Sequence, residues 1–569
     1  MEQGNGLIFW LVFIYLKYKG KFMKITFLGA ARTVTGSCHV LECEQTRFAI
    51  DCGMHQGNRD IEGRNWDVNG MYRPESLDFI LLTHAHIDHS GLLPRLVSQG
   101  FKGPVYTTAP TKDLLGIMLE DSARIQETEA QWRSTKKQRV GAPPVEPLYT
   151  VEDAQKALTQ LKTQEYNQVF EPKPGVRVIF NNAGHILGSA FIELWVTEGD
   201  EETKLVFSGD LGRPNQLLIP NPQTVETADF LFLESTYGSR NHKNETQSRQ
   251  ELAEAIAYSY QRGEKVIIPA FAVERTQELL YTLHLLLQEG LLPADMPVYL
   301  DSPLAIKATE IFRRHWDYYD QQTKELVKNG QNPLDLPNLR FTLTPDESRA
   351  INVSQEPAIV IAGSGMANAG RIKHHLRHNI WKTGASIVFV GFQAEGTPGR
   401  RIVDGAKSIR ILGEELSVKA KVFTIGGFSG HAGQTQILDW LSHLRNPEMQ
   451  VYLVHGEHSG QKVLADLIRE KFKLTVHIPD YLDECLLEKG GRFELTARPT
   501  LAAPRIDWDY LLEETSGKLA QVRERVDYLQ RMGQTNQVEI RGSLLAINSR
   551  LSSIMSELMF EQKQKPKQD

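Results

Sequence analysis

The stretch Thr83-His84-Ala85-His86-Ile87-Asp88-His89 packs four metal-type ligands into six residues, and it narrows the folds open to this chain. The preceding run, Phe79-Ile80-Leu81-Leu82, is short and wholly apolar, which suits a buried strand. The ligands therefore leave a strand end and enter a loop, and Ser90-Gly91 opens the next element. Imidazole nitrogens and carboxylate oxygens are donors that zinc takes, usually three or four to an ion. One ion cannot readily use all four from so short a segment. The spacing suggests two neighbouring sites, with His84 and His86 on one and Asp88 and His89 on the other. The bland alternative is a histidine-rich surface loop.

Repetition favours the metal reading. Arg47-Phe48-Ala49-Ile50 runs into Asp51, and Val176-Arg177-Val178-Ile179-Phe180 leads through Asn181-Asn182 to Ala183-Gly184-His185. Leu205-Val206-Phe207 leads to Ser208-Gly209-Asp210, Phe230-Leu231-Phe232-Leu233 to Glu234, and Val451-Tyr452-Leu453-Val454 to His455. Six apolar strands thus each deliver an acid or a histidine at the carboxyl end. Strand ends gathered on one edge of a layered α/β fold are where such sites are built.

His84-Ala85-His86-Ile87-Asp88-His89 resembles the HxHxDH signature of the metallo-β-lactamase fold, and Asp51, His185 and Asp210 follow the order of its other motifs. Glu234-Ser235-Thr236-Tyr237-Gly238, Phe428-Ser429-Gly430-His431-Ala432-Gly433 and Leu453-Val454-His455-Gly456-Glu457 resemble the three motifs of the β-CASP nucleases, a branch acting on nucleic acids. The likeness covers roughly residues 23–490, and so many motifs in fixed order make chance agreement remote. It implies an α/β chain, a metallo-β-lactamase αββα sandwich with an inserted β-CASP α/β domain. The layout is similar to RNA-processing and mRNA 3′-end-cleaving members.

The chain has 569 residues, enough for two or three domains, and 41% hydrophobic with 24% charged residues is ordinary for a soluble globular protein. A formal net charge of −6 excludes a generally basic surface, so nucleic acid must meet a local positive groove. The four cysteines, Cys38, Cys43, Cys52 and Cys485, show no CxxC pairing. They read as reduced and buried, hence cytoplasmic, and as poor zinc ligands.

Residues 1–22 read as an N-terminal extension ahead of a natural family start at Met23. Residues 7–16 are ten apolar positions followed by Lys17, Lys19 and Lys21. A span needs about 20 apolar residues, and a secretory signal wants its cations before the apolar run. No stable membrane insertion is expected; an anchor is the alternative. Residues 23–234 would form the first part of the metallo-β-lactamase domain, 235–418 the inserted β-CASP domain, and 419–497 the completing part. Residues 112–139 read as a polar helix with Leu115, Met118, Leu119, Ala123 and Ile125 as its apolar side, and 151–161 as a short second helix. In the inserted part, helices are expected at 249–260 and 274–288, and strands at 265–269, 298–300, 358–362 and 386–390. Residues 498–569 form a C-terminal helical extension, with Leu512, Leu519, Val522, Val526 and Leu529, then Leu544, Ile547, Leu551, Ile554 and Leu558, at helical spacing. Those faces either pack on the chain itself or serve a homodimer or protein partner.

The resemblance implies two Zn2+ per chain. His84, His86 and His185 would hold one, Asp88, His89 and His455 the other, and Asp210 would bridge both. Water activated between the ions would attack phosphorus in line. Asp51 is expected behind the ligands, fixing the tautomer of a ligand histidine. The departing oxygen needs a proton; the resemblance gives that role to His431, with Glu234 orienting it. Asp88, Asp210, Glu234 and His431 are thus the catalytic candidates. Gly363-Ser364-Gly365-Met366 could turn backbone N–H groups toward phosphates, and Arg275, Ser364, Gly365, Thr397 and Arg400 are the substrate-binding candidates. Arg371, Lys373, His374, His375, Arg377 and His378 form a basic helix start that could supply the positive groove, or be a solvated face. The leading expectation is a zinc-dependent ribonuclease with RNA as partner, endonucleolytic in preference to 5′-exonucleolytic. RNA over DNA rests on the resemblance, because RNA-cleaving members tend to carry His at the last motif, as His455 does here. Small-molecule hydrolysis would need neither the insertion nor Glu234 and His431, and a scaffold subunit would not need every ligand position filled.

Overall fold

The strand Phe230–Glu234 is buried at all five positions, and its alternation shows how the layers are built. Phe230 and Phe232 point into a core between two sheets, while Leu231 and Leu233 point into a second core shared with the helices Gln434–Leu441 and His458–Phe472. Side chains on successive strand residues face opposite ways, so a strand apolar on both faces must be sandwiched. In the computed structural model this strand lies inside a seven-stranded sheet, parallel to Glu201–Phe207 and Gln450–Val454. An eight-stranded sheet packs against it through Ile25, Phe27, Phe48 and Ile50. The rings of Phe207 and Phe232 stack at 4.3 Å, and Phe27 and Tyr452 at 6.0 Å join the two sheets. Helices cover the outer face of each sheet, Leu93–Ser98 and Ala109–Gln138 on the second. This is the expected αββα sandwich.

The structure describes residues 23–488, apart from 45, 58, 67, 139–142, 243–244, 392 and 394–395, together with 495–496 and scattered positions between 516 and 548. Residues 1–502 and 503–569 form separate compact units. The extension at 1–22 and most of the expected C-terminal helices lie outside the described residues. In the second unit, 516–517, 519–520, 522–523, 540–541, 544–545 and 547–548 are helical, and Leu519, Val522, Leu545 and Ile547 are exposed. No helix among the described residues is long and apolar enough to cross a membrane.

A third, six-stranded sheet is parallel throughout. Its order is Leu339–Phe341, Val298–Leu300, Ile359–Ala362, Val266–Pro269, Ser386–Phe389, Lys421–Thr424. All carboxyl ends therefore share one edge. A single apolar cluster runs from Leu93 and Leu119 of the sandwich to Leu279 and Ile361 of this sheet, so the two parts are packed on each other. Polar contacts reinforce the join: His315 Nε2 lies 2.9 Å from Asp113 Oδ2, and the rings of Tyr166 and Tyr318 are 5.3 Å apart.

Three local expectations change. Leu161 does not end a helix; the helix is Val151–Leu158, and Leu161–Thr163 is an edge strand of the eight-stranded sheet. Ile125 is 51% exposed, although Leu115, Leu119 and Ala123 on the same helix are buried. Leu339–Phe341 and Lys421–Thr424 join the third sheet at its two edges, the latter past the boundary expected at 418. Edge strands are half solvated, and these two mix Arg or Lys with apolar residues, which leaves little period to read.

Candidate metal centre

Each strand end named above delivers its side chain to one point. Asp210 follows Glu201–Phe207 and presents its two oxygens to two different groups. Oδ2 is 3.5 Å from both His84 Nε2 and His185 Nε2. Oδ1 is 3.3 Å from His89 Nε2 and 3.2 Å from His455 Nδ1. His86 Nδ1 closes the first group at 3.1 Å from His84 Nε2 and 3.2 Å from His185 Nε2. Asp88 Oδ2 joins the second, 3.5 Å from His455 Nε2. Among the described residues three groups could hold a metal ion: His84–His86–His185–Asp210, Asp88–His89–His455, and Asp210–Glu234–His431, the last sharing Asp210 with the first. The loops meet this closely because glycines line the join: a methyl group on Gly212 would stand 1.6 Å from the carbonyl oxygen of Gly184.

The hydrogen bonds fix which ring nitrogens face inward. Asp51 Oδ2 accepts from His89 Nδ1 at 2.7 Å, which turns His89 Nε2 toward Asp210. Thr83 Oγ1 gives its one proton to Asp51 at 3.0 Å, so it must accept from His84 Nδ1, also at 3.0 Å. The Gly430 carbonyl accepts from His185 Nδ1 at 3.1 Å. His84 and His185 therefore turn an Nε2 lone pair toward Asp210; burial would depress His89 too, but the charges of Asp210 and then Asp51 raise it well above the ordinary histidine range, so without a metal its Nε2 favours a proton facing Asp210. Lone pairs facing a carboxylate repel unless a cation lies between them. Consistent with this, His89 Nε2, Asp210 Oδ1 and His455 Nε2 are buried without a hydrogen-bond partner. Such atoms are costly when left unsatisfied. The residues present fit a metal.

Burial, and then neighbouring histidines, hold His84 and His185 well below the ordinary histidine range. Burial likewise pushes His86 down to about 4. Neutral imidazole is the form that ligates. Burial alone would raise Asp88 and Asp210, but the surrounding histidines keep both below the usual carboxylate range. The four cysteines are buried free thiols and none belongs to a metal-type cluster among the described residues.

Beside Asp210 stands His431, its Nδ1 3.9 Å from Asp210 Oδ2 and 3.3 Å from Glu234 Oε1. Glu234 is fully buried at the end of its strand and also accepts from Leu211 N at 2.8 Å and Thr236 N at 3.2 Å. It thus caps the turn and faces the histidine at once. Burial would depress His431, but the charge of Glu234, then that of Asp210, lifts it to about 9. Its carbonyl accepts from His242 Nε2 at 2.9 Å.

The expected substrate groups are less open than their sequence suggests. Arg275 is paired with Glu278, and Arg400 Nε donates to Asp404 at 2.9 Å. Thr397 caps the helix Pro398–Val403 by accepting from Arg400 N at 3.2 Å. Ser364 Oγ donates to Asn368 at 2.6 Å, and Gly365 is buried under an aromatic ring. Arg371 and His375 both bind the buried Asp301 at 2.6 Å, and Arg377 is paired with Glu414. The basic helix start is therefore largely neutralised internally, because three of its side chains meet acids distant in sequence.

Arg213 and Glu278 were not singled out in the sequence. Arg213 Nε donates to the Ser429 carbonyl at 2.9 Å and Nη2 to Glu278 Oε1 at 2.5 Å, tying the loop of His431 to the helix Arg275–Gln288 that follows the third sheet's strand Val266–Pro269. The signal for Arg213 was its place in Gly209-Asp210-Leu211-Gly212-Arg213; Glu278 offered none, since it reads as a helix-surface partner of Arg275.

Comparison with known proteins agrees with this architecture. Residues 40–211 match the metallo-beta-lactamase superfamily domain, 276–402 the Beta-Casp domain, and 415–479 the Zn-dependent metallo-hydrolase RNA specificity domain. Ribonuclease TTHA0252 of Thermus thermophilus is 39% identical over 446 residues, covering 78% of this chain and 96% of its own. The transcription termination factor FttA is 32% identical in Methanocaldococcus jannaschii, covering 81% of this chain and 71% of the relative. In Pyrococcus abyssi it is 33% identical, covering 83% and 72%. With the domain order, the converging ligands and relatives of this length and identity, the chain belongs to the β-CASP ribonuclease family of metallo-β-lactamase-fold hydrolases.

Proposed function

We propose that this chain is an endoribonuclease that hydrolyses RNA phosphodiester bonds with two zinc ions. His84, His86 and His185 would hold one ion and Asp88, His89 and His455 the other, with Asp210 placed between the two groups. Bound there, divalent cations supply the positive charge that polarises a phosphoryl oxygen and readies water for attack at neutral pH. Asp51 keeps His89 in the ligating tautomer. His431 carries a proton at the edge of the cluster and delivers it to the departing ribose oxygen, while Glu234 holds the ring in place and favours its charged form. The observation that carries this reading is the Glu234–His431 pair beside Asp210, 3.3 Å and 3.9 Å from the ring nitrogen. A positioned acid is what a poor alkoxide leaving group requires. The ribonuclease named among the relatives, matched over almost its full length, supports RNA as substrate. The four free thiols suit a reducing compartment, and we place the enzyme in the cytoplasm.

The test is cleavage of one internally labelled RNA, with 5′-phosphate or 5′-hydroxyl ends, beside matched single-stranded DNA. Discrete internal cuts in RNA, lost in Asp210→Ala and His431→Ala, are expected. Mononucleotides released from 5′-phosphate ends would instead make it an exonuclease. Absence of cleavage by folded, metal-loaded protein would overturn the ribonuclease reading.

A further inference from the structure

Phe271 is 46% exposed, yet its surroundings are fixed. It follows the strand Val266–Pro269 at the shared carboxyl edge of the parallel sheet. Ligands of open parallel sheets bind beyond that edge. Ala270 N donates to the Ala362 carbonyl at 3.1 Å, which seats the loop of Phe271 beside the Gly363-Ser364-Gly365 turn. The ring lies against Gly365: a methyl group there would stand 2.8 Å from two ring carbons, so only a glycine leaves the ring this place. Two buried side chains pin the loop behind it. Thr276 Oγ1 donates to the Phe271 carbonyl at 2.7 Å, and Gln277 Nε2 to the Ala272 carbonyl at 3.1 Å. The neighbours Ala270 and Val273 do the packing, at 2% and 4% exposure. The loop then ends at Glu274, whose carboxylate accepts from Leu187 N at 3.3 Å, two residues beyond His185.

Single exposed apolar side chains are common and mean little alone. Here the aromatic lies against a glycine, keeps about half its surface exposed, and sits on a pinned loop anchored beside the metal centre. The cations expected along this edge, Arg275 and Arg400, each have an acidic partner in Glu278 and Asp404, and the exposed ring adds a π-surface to them. A flat ring of that kind stacks any unpaired base and cannot reach the bases of a duplex, whose faces are covered. We infer that Phe271 is a stacking platform for one nucleobase, and that the RNA entering the centre is single-stranded at that nucleotide. This rests on the ribonuclease reading and names the form of the substrate.

The experiment uses the full chain and an unstructured RNA cleaved by wild type. Phe271→Ala and Phe271→Leu should raise KM by about 5- to 150-fold, the loss expected for one base stack, and Phe271→Trp should restore it. A scan of abasic sites through the RNA should then find one position that weakens wild type as Phe271→Ala does and leaves Phe271→Ala unaffected. Unchanged KM in Phe271→Ala overturns the inference, and so does a loss that no abasic position reproduces. Both outcomes leave the ribonuclease reading standing; a wild type that cuts no RNA overturns the two together.

Discussion

Arg213 and Glu278 form a buried ion pair, Nη2 to Oε1 at 2.5 Å, that joins the loop after Asp210 to the helix Arg275–Gln288. The same guanidinium holds the Ser429 carbonyl, two residues before His431. The helix Arg275–Gln288 beside the third sheet therefore helps to set the position of the proposed acid. Removing one partner of a buried pair leaves a charge without compensation, at about 3–5 kcal/mol. Glu278→Ala should accordingly destabilise the chain, and it should also lower kcat more than it raises KM. A loss of melting temperature with kcat intact at low temperature would reduce the pair to a structural tie.

Glu234 and His431 should behave as one unit. His431→Ala removes the proton donor, and Glu234→Gln removes the charge that keeps the ring protonated, so each should lower kcat by about 10²- to 10⁴-fold. The double variant should be little worse than either single variant, because the second change removes a group already without purpose. Both should lose most of their defect on a phosphodiester with a nitrophenolate leaving group, which departs without a proton. Additive losses, or no rescue by that substrate, would move the pair out of the proton-transfer step.

The clustering of these histidines and carboxylates was legible in the sequence because strand, loop and side chain are local: a short apolar run leads within a few residues to the donor, as Leu205-Val206-Phe207 leads through Ser208-Gly209 to Asp210. Their grouping followed from strand ends sharing an edge. Groups defined by distant pairing were not legible. Arg371 looks like a free cation in sequence, but Asp301, 70 positions earlier, takes it. Arg275 looks like a phosphate contact, but Glu278 lies one helical turn on and claims it. Phe271 stands between two alanines in a loop, where neither a period of two nor of 3.6 can mark its exposure. The edge strands Leu339–Phe341 and Lys421–Thr424 were lost for a related reason, since half their residues face water.

Asp51 touches no proposed ion, yet it should govern metal affinity. It accepts from His89 Nδ1 at 2.7 Å and from Thr83 N at 2.8 Å, and Thr83 in turn orients His84. Losing a partner of this kind typically costs about 10- to 100-fold in affinity or activity. Asp51→Ala should need that much more zinc for half-maximal activity and recover at high zinc. Chelation should lower the melting temperature of wild type, and restoring zinc should reverse it, because the ions bind only the folded state. Equal zinc requirements in Asp51→Ala and wild type would remove the role.

Asp301 offers a pH-dependent test away from the metal centre. It is fully buried and accepts from His375 Nε2, Ser348 Oγ, Thr342 Oγ1 and Arg371 Nη1, each at 2.6 Å. Burial alone would raise its pKa, but these four donors, His375 first, carry it below the ordinary carboxylate range. A carboxyl depressed on folding contributes stability that is complete above its unfolded value, about 3.9, and is lost as pH falls through the folded one. Asp301→Asn should therefore cost roughly 3–5 kcal/mol near pH 7, where the wild-type charge is fully compensated. As pH drops below about 4 the gap should narrow, because protonated aspartic acid gives up the same advantage. Denaturant titrations of both proteins at pH 7, 5, 4 and 3, without added metal, compare the two slopes. A gap that stays constant with pH would mean that shape, not charge, holds this network together.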